Sequence, residues 1–226
     1  MSDAVWAVVV AAGSGQRFGA HKQFLELGGR PLYSWSLPAV KAVAGSVVLV
    51  VPPARLAQLE ALRGTDDLVS EVVAGGATRA ESVRAGLNAV PDSAEVVVVH
   101  DAVRPFASEG LFRSVVAAVR EGRDGAIPGI AITDTVKRVR DGIVVETLDR
   151  SELVRVQTPQ AFRAATLRSA HAAGGDATDD ARLIEALGGD VAVVAGEETN
   201  IKITTAADLA AAERFASGKH DAEVRR

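Results

Sequence analysis

Residues 4–12 read Ala-Val-Trp-Ala-Val-Val-Val-Ala-Ala, with no polar residue among them. From Ala7 to Ala12 such a stretch has no side that tolerates water, so it predicts a strand buried on both faces. Further apolar, β-branched runs predict strands at Ser46–Val51, Glu71–Val73, Glu95–Val99, Gly125–Ile130 and Val191–Ala195. Helical patterns fall between them, at Leu32–Val43, Arg55–Leu62, Arg79–Val90, Leu111–Arg120, Phe162–Ala173, Ala181–Leu187 and Ala206–Ala216. This alternation argues for an α/β fold of three layers, a mainly parallel sheet covered on both faces. Ligands in such sheets sit beyond the carboxyl ends of the strands.

One segment breaks the rhythm. Residues 133–149 hold two alternating runs around Asp141-Gly142, a strong hairpin signal. The hairpin arm, 132–149, is inserted where a helix is due. An isolated hairpin is marginal in water, so it must pack either on a partner subunit or over the molecule's own active site. Residues 1–217 are expected to form one domain, and the polar stretch 218–226 a disordered tail.

The first strand runs into Gly13-Ser-Gly-Gln-Arg-Phe-Gly19, with Lys22 close behind. Gly13, Gly15 and Gly19 let backbone amides face one concave space, and Arg17 and Lys22 place two positive charges beside it. That suits a polyphosphate. A P-loop starting at Gly13 needs glycine at 18, and so does the dinucleotide fingerprint, but Phe18 stands there. A tight turn with no ligand is the competing reading of the loop alone.

Later strands end in candidates of their own. Asp101, in His100-Asp-Ala-Val-Arg-Pro105, is placed to hold Mg²⁺, and Arg104 to fork onto phosphate; a local ion pair between the two is the alternative. Gly75-Gly76 permits close approach of a flat base, with Ser82 within reach, while Thr78 and Glu81 form a capping box. Arg150 is either a phosphate ligand or a solvated arginine. Lys202 sits between Ile201 and Ile203, facing either a pocket or, from an edge strand, water. Thr178-Asp179-Asp180 is expected to cap the helix from Ala181. The four histidines have no second ligand at metal spacing, and no cysteine is present. A net charge of −4 argues against a general nucleic-acid binder. No apolar run reaches membrane-spanning length and no cleavable leader is visible, so a cytoplasmic protein is expected.

Together these stretches resemble the 2-C-methyl-D-erythritol 4-phosphate cytidylyltransferases of the non-mevalonate isoprenoid pathway. The matching segments run in order from about residue 5 to 210: Ala11-Ala-Gly-Ser-Gly-Gln-Arg17, Lys22-Gln-Phe24, Gly75-Gly76 with Arg79 and Ser82, His100 to Pro105, Asp134-Thr-Val-Lys137, Asp149-Arg150, Gln157-Thr-Pro-Gln160, Thr178-Asp-Asp-Ala181 and Asn200-Ile-Lys-Ile-Thr204.

The resemblance implies a Rossmann-like nucleotidyltransferase fold and a Mg²⁺-dependent transfer of cytidylyl from CTP to methylerythritol 4-phosphate, releasing pyrophosphate. It implies CTP binding by Ala11, Ala12, Gly13, Gly15, Arg17, Lys22, Gly76, Ser82, Asp101 and Ala102, with Asp101 holding the metal. It assigns the acceptor to Arg104, Thr135, Arg150 and Lys202, and catalytic roles to Arg17, Lys22, Arg150 and Lys202. It makes the hairpin a dimerisation arm that carries Thr135 and Arg150 to the partner's site. The chain departs from the family pattern at Phe18, His21, Ala77 and Thr199, and Glu198 is the acid nearest to a second metal-ligand position. A cytidylyltransferase for another polyol phosphate, such as ribitol 5-phosphate, would share most of these residues. A non-catalytic nucleotide-binding protein is the reading from another class.

Overall fold

A computed structural model describes residues 4–13, 22–62, 67–174 and 179–224, with side chains to 217. The strands are β1 (Val5–Val10), β2 (Glu26–Leu27), β3 (Arg30–Pro31), β4 (Ser46–Val51), β5 (Glu71–Ala74), β6 (Val96–Asp101), β7 (Gly125–Ala131), β8 (Lys137–Arg140), β9 (Ile143–Thr147), β10 (Val154–Val156), β11 (Gln160–Arg163) and β12 (Val191–Ala195). The helices are α1 (Leu37–Lys41), α2 (Leu56–Glu60), α3 (Arg79–Asn88), α4 (Glu109–Arg120), α5 (Ala164–Ala172), α6 (Ala181–Ala186) and α7 (Ala206–Val224).

Eight strands form the main sheet. β1 lies between β4 and β6, parallel to both, and β5 runs parallel to β4. β11 is antiparallel to β6 and β7, β10 is antiparallel to β7, and β12 is parallel to β7. Gly125 pairs with both Phe162 and Val191, and Gly129 with both Val156 and Ala195. β10 and β11 therefore share one edge of β7, and β12 takes the other. The chain builds outward from β1 through β4 to β5, then returns to lay β6 on the other side of β1. That reversal opens a crevice at the strand ends.

Alternation along β1 divides its side chains between two cores. Ala7, Val9 and Ala11 join Leu37 and Val40 of α1 and Leu111, Phe112 and Val115 of α4. Val8 joins Val83 and Leu87 of α3, Leu167 of α5 and Ile184 of α6. The sheet thus carries helices on both faces, the three layers expected from the continuous apolar runs. A third cluster, around Leu27, Leu32, Phe106 and Ile203, seats α7 through Ala212 and Ala216.

Three expected helices are corrected. Leu32–Val43 is a 3₁₀ turn at Leu32–Ser34 followed by α1, because Pro38 in the first turn of α1 has no N–H to bond back to Ser34 and continue one helix across both. In the segment read as Phe162–Ala173, the residues Gln160–Arg163 instead form β11, and the helix begins at Ala164. Phe162 is fully buried in the sheet core, and pairing on both edges outweighs its local pattern. α7 keeps a helical backbone to Val224, past Ala216 and into the stretch expected to be a disordered tail. Among the described residues no helix is long and apolar enough to cross a membrane.

The arm forms as expected from β8 and β9, joined by Asp141 (φ 50°) and Gly142 (φ 78°) in the left-handed region that a tight hairpin turn requires. Every residue of both strands is exposed.

Candidate active site

A cleft of about 540 Å³ opens at the carboxyl ends of β1, β5 and β6. A cavity of about 200 Å³ adjoins it, and Arg79, Asp101 and Lys202 line both. The Asp101 carboxylate therefore stands where the two spaces meet.

The wall after β1 is shaped by Gln23. Its amide donates to Ala11 O at 2.6 Å and to Gly13 O at 2.9 Å, tying the loop to the Lys22–Phe24 turn that carries Lys22. Opposite, α3 starts at a capping box: Thr78 Oγ1 accepts from Glu81 N at 3.1 Å, and Glu81 Oε2 accepts from Thr78 N at 3.1 Å. Ser82 Oγ accepts from Gly76 N at 3.2 Å and donates to Thr78 O at 2.9 Å. Gly75 has a packing reason as well. A Cβ there would lie 2.3 Å from Ala12 Cβ and 2.8 Å from Ser82 Oγ, so packing of the β5 loop on the β1 loop by itself demands glycine.

Asp101 ends β6, with its side chain 10% exposed. Oδ1 accepts from Arg79 Nε at 3.1 Å and Oδ2 from Lys202 Nζ at 2.7 Å. Burial alone would raise its pKa; Arg79, then Lys202, outweigh burial and hold the carboxyl well below the ordinary carboxylate value. The alternative reading of Asp101, a local ion pair with Arg104, does not hold: its oxygens are taken by Arg79 and Lys202. Arg104 instead donates to Asn200 O at 2.8 Å, while its Nε is buried without a partner among the described residues. Burial pushes His100 down to about 4, so its imidazole is neutral at physiological pH. Its Nδ1 lies 3.2 Å from Thr158 Oγ1, which accepts from Asp101 N at 3.0 Å, and its Nε2 lies 3.1 Å from Arg104 O. The network assigns the His100 proton to Nε2. His100 props the backbone at Asp101 and Arg104 and has no nitrogen left for acid–base work.

The family model for 2-C-methyl-D-erythritol 4-phosphate cytidylyltransferase matches residues 5–217. The chain belongs to this family. It is 48% identical over 222 residues to the bifunctional IspD/IspF enzyme of Nitratidesulfovibrio vulgaris, covering 91% of this chain and 56% of that one. The chain thus spans little more than half the length of such relatives. It is 42% identical to the 2-C-methyl-D-erythritol 4-phosphate cytidylyltransferase of Carboxydothermus hydrogenoformans, covering 92% and 94% of the two chains. The crystal structure of 4-diphosphocytidyl-2C-methyl-D-erythritol synthase from Anaerococcus prevotii superposes with a TM-score of 0.83 at 32% identity, covering 96% of this chain and all of that one.

Of the residues that resemblance to the cytidylyltransferase family assigns to CTP, Ala11, Ala12, Gly13, Lys22, Gly76, Ser82 and Asp101 line the larger cleft. Gly15 and Arg17 lie outside the described residues. Ala102 is fully buried and its N–H donates to Val10 O at 3.1 Å, so that amide serves the sheet and is not offered to a nucleotide. On the acceptor side, Arg104 and Lys202 line the smaller cavity. Thr135 and Arg150 line neither; both are exposed beside the arm, where Arg150 donates to Thr133 O.

Among the described residues, Asp101 is also the one carboxylate lining the larger cleft, and no group of three or more His, Cys, Asp or Glu is gathered. Mg²⁺ commonly takes one or two carboxylates plus substrate phosphates, so this donor set fits it. Glu198, the nearest candidate for a second ligand, pairs with Arg155 at 3.1 Å on the surface.

The site residues not assigned from sequence are Arg79, Gln23 and Asp180. Asp180 precedes α6 as expected of a cap, but makes no capping hydrogen bond. Asp179 accepts from Arg182 N at 3.3 Å instead. The sequence marks Asp180 only as one of two adjacent acids at a helix start, and its true partners are remote in the chain.

Proposed function

We propose that the chain transfers the cytidylyl group of CTP to 2-C-methyl-D-erythritol 4-phosphate, giving 4-diphosphocytidyl-2-C-methyl-D-erythritol and pyrophosphate, in isoprenoid precursor biosynthesis. The observation that carries this reading is the pair of adjoining cavities that share Asp101, Lys202 and Arg79. One is large enough for a nucleotide and the other holds a phosphate-sized cluster of donors.

An acceptor phosphate oxygen attacks the α-phosphorus of CTP. The bond from that phosphorus to the bridging oxygen breaks, and the electron pair leaves with pyrophosphate. The acceptor phosphate is largely ionised near neutral pH, so no general base is required. That suits a site whose buried His100 has both nitrogens engaged. Lys22 and the backbone around Gly13 hold the triphosphate, while Arg104 and Lys202 orient the acceptor phosphate for in-line attack. Asp101, with the substrate phosphates, would hold Mg²⁺, which would supply charge neutralisation on the transferring group. Base and ribose contacts fall to Gly76 and Ser82.

The reading also makes the protein a homodimer. Val139 and Val144 face each other across the arm and are each 55% exposed, and Ile143 is 68% exposed. A two-stranded ribbon with such residues in water is not stable alone, and a partner subunit that covers it would bring Thr135 and Arg150 to the neighbouring acceptor cavity.

Incubation with CTP, Mg²⁺ and methylerythritol 4-phosphate is expected to release pyrophosphate. Release with ribitol 5-phosphate alone would overturn the acceptor, and release with neither would favour a non-catalytic nucleotide binder. The double variant Val139→Asp/Val144→Asp is expected to run as a monomer in light scattering and to lose about tenfold or more in kcat/KM, as loss of positioning residues does. A variant that stays dimeric would remove the arm from the interface.

A further inference from the structure

Beneath the site lies a buried charged group that the proposed mechanism leaves unused. Asp180 and His171 have side chains 1% and 3% exposed. Asp180 Oδ2 accepts from Arg79 Nη1 at 2.8 Å, and its Oδ1 lies 3.0 Å from His171 Nε2. On its other edge Arg79 donates from Nε to Asp101 Oδ1 at 3.1 Å. One guanidinium, carried on the first turn of α3, thus joins a carboxylate before α6 to the carboxylate at the end of β6.

Neither helix capping nor packing requires this arrangement. Asp179 already accepts from the start of α6. Because the oxygens of Asp180 accept, His171 donates from Nε2, and His171 Nδ1 is then buried with no hydrogen-bond partner among the described residues. Arg79 Nη2 is likewise buried and unpartnered. Apolar residues of similar volume would avoid both losses. The set does achieve one thing that Lys202 cannot. Lys202 holds Asp101 from the solvent side with a side chain 41% exposed, whereas Arg79 holds it from inside. A guanidinium gripped at two edges has a defined plane, which passes a defined orientation to the carboxylate.

We propose that Asp180, itself fixed by His171, is a positioning residue for cytidylyl transfer: it sets the Arg79 guanidinium and through it the orientation of Asp101 toward bound CTP. This role rests on the reaction proposed above and is tested separately from it.

The test is a double-mutant cycle on Asp180→Asn and Arg79→Gln, with turnover taken per folded protein. Asp180→Asn is expected to lower kcat about tenfold or more with KM for the acceptor within about twofold, the split expected of a misplaced group at the reacting centre. Once Arg79→Gln is present, adding Asp180→Asn should cost no more than about twofold further. Asp180→Glu, which keeps a carboxylate, should recover most of the loss. Should Asp180→Asn fail to fold, His171→Leu takes its place in the cycle, with a loss of about threefold or more expected. Additive losses would overturn the proposal. So would wild-type kcat, KM and CTP affinity in the folded single variant. Calorimetric CTP affinity is measured on the same four proteins. No turnover by the wild type, with CTP affinity falling in the single variants and no further in the double, would overturn the assigned reaction while leaving the coupling of Asp180 through Arg79 to bound CTP intact.

Discussion

Lys22→Ala is expected to lower kcat by about 10²–10³-fold, the usual effect of removing one preorganised charge from a site where charge builds in the transition state. Lys22 follows the strand β1 that runs into the cleft, on a turn whose next residue, Gln23, is buried and bonded to Ala11 O and Gly13 O. The backbone that carries the ammonium is therefore pinned by its neighbour Gln23. Truncation at 22 removes charge from a partly exposed position outside the three core clusters, so the urea midpoint should move little. Lys22→Arg is not expected to rescue fully, because a planar fork does not present its charge where a compact ammonium does. Steady-state kinetics at saturating CTP and acceptor check the effect. Near-normal turnover by Lys22→Ala would remove it from the phosphate site.

The parts of this molecule that a single sequence discloses are those whose cause is local. The continuous apolarity of β1 and β4 reports burial on both faces, because each side chain must meet one helical layer or the other. Asp141-Gly142 predicts the arm, because the turn itself needs left-handed backbone. Thr78 and Glu81 predict the start of α3, since a capping box spans one turn. What is illegible depends on contacts remote in the chain. β11 reads as the beginning of a helix until β6 and β7 are present to pair with it. The same holds in the site. Asp101 is conspicuous because it ends a buried strand, but its partner Arg79 is 22 residues away and Arg79's other partner, Asp180, is 101 residues further on. No spacing rule links them. Gly75 shows the converse: a glycine beside a cleft suggests a ligand, and the packing that also excludes a side chain there, from Ala12 and Ser82, has no signal in the sequence.

Asp101→Asn is expected to combine the largest loss of turnover with a pH-dependent loss of stability. The substitution keeps the shape and removes the negative charge that faces two cations, so Arg79 and Lys202 then repel across a neutral amide. Turnover should fall by about 10³-fold or more, since both the charge proposed to hold Mg²⁺ and the placement of Lys202 are lost. Breaking a buried ion pair by removing one partner costs about 3–5 kcal/mol, and the lower end is expected because Arg79 keeps Asp180 and Lys202 can turn to solvent. The sign of the pH dependence follows from the depressed pKa of Asp101. Its stabilising contribution is complete above the unfolded-state value, near 3.8, and declines as pH falls below that toward the native value. The gap in urea midpoint between wild type and Asp101→Asn should therefore be widest at neutral pH and should narrow as pH is taken below about 4. A gap unchanged down to about pH 3 would show that the charge of Asp101 is not what the wild-type fold gains there, and would leave only its hydrogen-bonding shape to account for the grip of Arg79 and Lys202.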